Sequence, residues 1–248
     1  MGSIPEQYHL FVAIGGLVFL LIVVTSAAQK YQAYQVQKQI ALRRMHEGVQ
    51  QIENMLDLAQ GAALPKTLTV LLRKEVLARY VAMRQIHKSI PHISEDISVA
   101  QRKLQSAESM GEMARQAVSD RMQLNRFTLG IGKIISFLQN HSRIAGMTQQ
   151  EKLQFINKLA DMRADYLNDF HSREATGLAQ QEMWSDAADH LKQLMHYLSS
   201  HGPGTPHVTK IYQKASDDYK DIVMKRLPGS PPPSISPEVA DSQQEALS

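Results

Sequence analysis

The residues of this chain that could do chemistry are histidines and carboxylates, ten His and 24 Asp or Glu, with no cysteine at all. Without thiols there is no disulfide, no thiolate nucleophile and no Cys-type zinc or iron–sulfur site. The tightest remaining cluster is Glu182, Asp186, Asp189 and His190. On a helix, Glu182, Asp186 and His190 share one face and could offer a divalent ion three ligands. That face lies opposite an apolar stripe through Trp184 and Leu191, so a solvated helix surface is the simpler reading and no metal or other cofactor is expected. The spacings of known helical metal sites, His-Glu-x-x-His or paired Glu-x-x-His, do not occur. His87 and His92, like His196 and His201, stand five apart and do not align on a helix.

Other chemistry-bearing patterns are equally sparse. Gly130-Ile131-Gly132 lacks the continuation of a phosphate loop and follows no strand, so loosened packing around it is expected instead. No hydrolase, dinucleotide or kinase signature appears, and catalysis is not expected. A basic helix with Arg73, Lys74, Arg79, Arg84 and Lys88 is the best candidate for contact with nucleic acid. Its interleaved apolar residues and Glu75 fit a solvated face better, and the net charge of +3 is small, so no nucleic-acid partner is expected.

The elements that carry these side chains should be helices throughout. Apolar residues make up 43% of the chain but aromatics only 6%, and Leu, Ala, Met, Gln, Lys, Arg and Glu dominate, a helix-forming composition. The strongest local signal runs from Leu10 to Ala28, LFVAIGGLVFLLIVVTSAA, with no charged residue. As a helix it measures roughly 28 Å, matching a hydrocarbon core of about 30 Å. A membrane anchor over 10–28 in contact with lipid is expected, after a short extracytoplasmic tail over 1–9. No Lys or Arg precedes it, whereas Lys30, Lys38, Arg43 and Arg44 follow closely, which places the C-terminal part in the cytoplasm. Ser26-Ala27-Ala28 also has the small residues of a signal-peptide cleavage site, but the apolar run is long for a signal core and no basic residue precedes it.

Residues 29–60 continue without proline as a helical stalk. Leu42, Met45, Val49, Ile52, Leu56 and Ala59 alternate spacings of three and four, a seam that either packs within the chain or pairs two copies as a homodimer. A helical bundle domain is expected over 61–227, an antiparallel arrangement of several helices. Gly61 and Pro65 mark a turn, and helices are read over 66–88, about 90–126 with Ser89 as its cap, and 133–140. Thr148 and Glu151 form a capping box that starts a helix reaching His171, apolar on more than one face. Further helices are read over about 173–199 and, after the Thr205-Pro206 start, to about Leu227. From Pro228 to Ser248 the chain is rich in Pro and Ser and should be a disordered tail.

The fold class expected is therefore all-α, with one N-terminal transmembrane helix. The expected function is a membrane-anchored helical scaffold or adaptor that engages protein partners and does no catalysis. The alternative is a membrane-tethered sensor or regulatory subunit that binds a small ligand or ion within its helices.

Overall fold

In the computed structural model every regular element is a helix among the described residues, which are 6–87, 90–111, 115–141, 144, 146–200 and 204–229, with side chains from residue 16 onward. The expected Ser89 cap and nearly all of the expected tail lie outside them. Seven helices follow in order: α1 (Glu6–Leu58), α2 (Lys66–Ile86), α3 (Ile93–Ser109), α4 (Arg121–Asn140), α5 (Gln149–Gln180), α6 (Trp184–Ser200) and α7 (Pro206–Val223).

Helix α1 runs 53 residues without a break because nothing in it removes a backbone donor: no proline lies between Glu6 and Leu58. Its apolar part is long enough to cross a membrane, and from residue 16 onward that part is not buried against the other described residues. Leu17, Val18, Phe19, Leu20, Leu21, Ile22, Val23 and Val24 are all at least 49% exposed. A core helix would have buried one face, so this segment is a candidate membrane span. Thr25 donates its hydroxyl hydrogen bond within the same helix, to the carbonyls of Leu21 and Ile22 at 2.8 and 3.0 Å. The Thr25 hydroxyl is thereby paired within the helix.

Where the sequence reads one bundle, the chain divides into two compact units. The first comprises Met1–Asn54 and Lys66–Gly111, hence most of α1 with α2 and α3. Its core holds Val49 and Ile52 of α1, Leu68, Leu72, Val76 and Met83 of α2, and Ile93, Ile97, Ala100 and Ala107 of α3. Glu53 joins the three helices through its Oε2, which accepts from Arg73 at 2.6 Å and from Lys103 at 2.9 Å.

The second unit comprises Met55–Pro65 and Glu112–Ser248, with α5 packed against α4, α6 and α7. Neighbours on several sides are what the multi-faced apolar pattern of α5 requires. Tyr166 of α5 is 1% exposed and accepts a hydrogen bond from the Ala63 backbone N–H at 3.1 Å. The Phe127 ring lies 5.4 Å from its own, and the Arg115 guanidinium sits over the Tyr166 ring at 4.9 Å from its centroid.

Three boundaries differ from the sequence reading. The helix expected over 90–126 stops at Ser109, and α4 starts afresh at Arg121. Asp120 caps α4 by accepting from the Gln123 N–H at 2.7 Å, while the Gln123 side chain accepts from the Ser119 N–H at 2.8 Å. This reciprocal cap outweighs the continuing small-residue stripe. Second, α4 continues straight through Gly130 and Gly132. Gly130 is there for closeness, not looseness: a Cβ on it would lie 2.6 Å from the Ala59 backbone nitrogen. Third, α5 does not end at His171 but runs on to Gln180, closing with Met183 N–H to Leu178 O at 2.9 Å and Glu182 N–H to Ala179 O at 3.1 Å. Glu182 takes φ 60 in that closing turn, a role usually given to glycine. The capping box at Thr148 and the Thr205-Pro206 start form as the sequence reads them.

Candidate functional site

Helices α4, α5 and α6 enclose a small polar cavity of about 40 Å³. Arg121, Asn125 and Thr128 reach it from α4, Arg163 and His171 from α5, and Gln193 and Tyr197 from α6, with Leu124 and Leu167 completing the wall. Each polar side chain arrives there by helical register. Arg163 and His171 lie eight residues apart on α5, just over two turns, and so share a face with Ala160, Ala164 and Leu167. The cavity thus cuts into a stripe that is otherwise apolar.

Charge in this site is one-sided. Arg163 is half-buried, forms no ion pair among the described residues, and has a buried Nε with no hydrogen-bond partner. Burial pulls its pKa below the usual guanidinium value, yet an arginine keeps its proton in a protein. Arg121 is exposed and likewise has no carboxylate partner among the described residues. No Asp or Glu lines the cavity.

His171 is 3% exposed. Burial, with His190 and Arg121 adding to it, lowers its pKa from 6.5 to about 4, so the ring is neutral at pH 7. Its Nδ1 lies 3.3 Å from Nδ1 of His190, and its Nε2 is buried with no partner. Rings facing through Nδ1 share a hydrogen bond only if one donates and the other accepts. If His171 accepts, its proton sits on Nε2 and that atom is a donor.

The sequence-derived candidates fall elsewhere. Glu182 stands in the turn before α6, outside the helix that would align it with Asp186 and His190. Asp186 is exposed, Asp189 pairs with Lys192 at 3.4 Å, and His190 turns toward His171. No group of three His, Asp or Glu able to hold a metal ion occurs among the described residues. On the stalk, Val49, Ile52 and Leu56 are buried within the chain, while Leu42 and Met45 are half-buried. Lys30, Arg43 and Arg44 are exposed and Lys38 half-buried, with Arg43 paired to Glu47 at 2.9 Å. The basic helix α2 is largely neutralised: Arg73 pairs with Glu53, Lys74 with Glu108 and Arg79 with Glu75.

The sequence reading passes over Arg121, Arg163 and His171. One signal for Arg163 is legible, a basic residue placed within the apolar register of Ile156, Leu159, Ala160, Ala164 and Leu167. Comparison of the chain with protein-family models, with curated proteins and with solved structures finds no match in any of the three.

Proposed function

We propose that this chain is a membrane-tethered helical adaptor, which holds its water-facing helices at a bilayer surface for protein partners and catalyses nothing itself. One observation supports this above the others. An exposed apolar segment, 17–24, continues with no break in α1 into residues that belong to a folded core, Val49 and Ile52. A tether built this way carries no flexible joint between lipid and fold. Lys30, Lys38, Arg43 and Arg44 on the C-terminal flank favour a cytoplasmic location for the folded part. Tyr31 and Tyr34, 65% and 62% exposed, suit the headgroup layer just beyond the apolar segment.

Self-association through the stalk has only Leu42 and Met45 of its six seam positions to use, since Val49, Ile52, Leu56 and Ala59 are already covered within the chain. Partners other than a second copy are therefore the main expectation. Cross-linking in intact membranes, followed by purification of the full chain, should recover a reproducible protein partner. Release of the chain by alkaline carbonate would refute the tether, and recovery of the chain alone after efficient cross-linking would refute the adaptor role. A reporter fused after Ser248 should be active only in the cytoplasm.

A further inference from the structure

The cavity among α4, α5 and α6 is a place where positive charge enters the second unit without an answering carboxylate. Arg163 is the decisive residue. Its neighbours on α5 are Leu159, Ala160, Ala164 and Leu167, and an ordinary packing role would be filled better by Leu or Met. A half-buried guanidinium with no ion pair costs stability unless an anion or ordered water meets it. Arg121, on the rim, adds a second guanidinium to the same small space. Buried His171 adds an unpartnered polar atom, Nε2, and Thr128 is a buried hydroxyl on the wall.

We propose that this cavity is a binding site for a small oxyanion, a carboxylate or phosphate group held between Arg163 and Arg121. Arginine forks match both groups in a two-point geometry. A space of about 40 Å³ takes the charged head of such a ligand and nothing larger. The rest of a larger ligand would lie outside, past exposed Arg121 and Asn125. A metal cation is disfavoured by both guanidinium groups and by the lack of any carboxylate in the lining. Because the site ties three helices together, an occupied site stiffens the second unit and gives the chain a way to report anion concentration.

The test is thermal unfolding of the full chain in a phosphate-free maltoside detergent, titrated with inorganic phosphate, sulfate, acetate or succinate against chloride at matched ionic strength. A saturable rise in Tm of about 3 °C or more is expected with at least one of these anions. Saturation with phosphate or sulfate assigns a tetrahedral oxyanion, and saturation with acetate or succinate alone assigns a carboxylate. Phosphate and sulfate also stabilise proteins generally, without saturating, so the comparison with variants decides. Arg163→Gln should melt at or above the parent in chloride, because it removes an uncompensated charge, and should lose the saturable response. Arg121→Gln, at an exposed position that leaves the core untouched, should weaken the response at least tenfold in apparent affinity. The proposal is overturned if the parent shows only a linear rise shared by both variants, which would leave water alone in the cavity. It is equally overturned if both variants keep the saturable response.

Discussion

At the scale of single residues, His171 and Glu53 both have lowered pKa values, from different causes, and both make stability fall as pH falls. His171 is held neutral by burial, with a pKa of about 4 against 6.5 for an unperturbed histidine. Between those values the unfolded chain takes up a proton that the folded chain refuses. Stability should therefore be unaffected by this group above pH 6.5 and fall as pH drops toward 4, by about 1 kcal/mol at pH 5.5. Urea melts of the parent and His171→Leu at pH 7.0 and 5.5 check this, and the variant should lose that part of the pH difference. Glu53 behaves as a paired carboxylate. Burial raises its pKa, but hydrogen bonds and charge from Lys103 and Arg73 outweigh burial and leave it lowered. Its contribution is present above the normal carboxylate range and is lost as pH falls through the folded value. Glu53→Gln should cost on the order of 2 kcal/mol, since it leaves two cations facing a neutral amide. Amide exchange in α2 and α3 would report it.

The helices themselves depend on a few local devices whose removal has a predictable sign. Gly130 lies where α4 meets the end of α1, with the backbone of Leu58 and Ala59 in the space a Cβ would take. An alanine there gains about 1 kcal/mol of helix propensity. It should nevertheless destabilise the second unit by about 1–3 kcal/mol net, because backbone cannot step aside as a side chain can. Gly48 makes the contrast. Its Cβ would meet only the far end of the Arg79 side chain, and Gly48→Ala should cost little or add stability. Comparing the two variants by chemical denaturation tests close approach against mere helix weakness. At the start of α5, Thr148→Ala removes the hydroxyl that accepts from the Glu151 N–H, one half of the capping box, and leaves the residue-148 backbone N–H still donating to Glu151, at a cost of about 1 kcal/mol. Most of these helix starts were legible, since Thr148-Gln149-Gln150-Glu151 and Thr205-Pro206 state their caps in four residues or fewer. The end of α5 was not. A helix usually stops at glycine, and here Glu182 takes the left-handed turn while Gly177 stays helical.

On the scale of the whole molecule, two cores imply that one unfolding transition need not describe the chain. Glu53→Gln should raise amide exchange first in α2 and α3, and Gly130→Ala first in α4 and α5. A uniform rise over both units with either substitution would show that they open as one. The sequence alone determined the all-helical class, the apolar span near the N-terminus and the continuous stalk. These follow from local composition and from runs without proline, which act over neighbouring residues. Only the tertiary structure decided that the stalk seam from Val49 onward is covered within the chain, that a second core begins near Met55, and that Arg121, Arg163 and His171 meet. Those facts depend on which helix faces which, and periodicity names a buried face without naming what buries it. Of the side chains clustered along the sequence at Glu182, Asp186 and His190, the first is parted from the other two by a turn. The cations of the cavity come from α4 and α5, 42 positions apart at Arg121 and Arg163, and only folding brings them together.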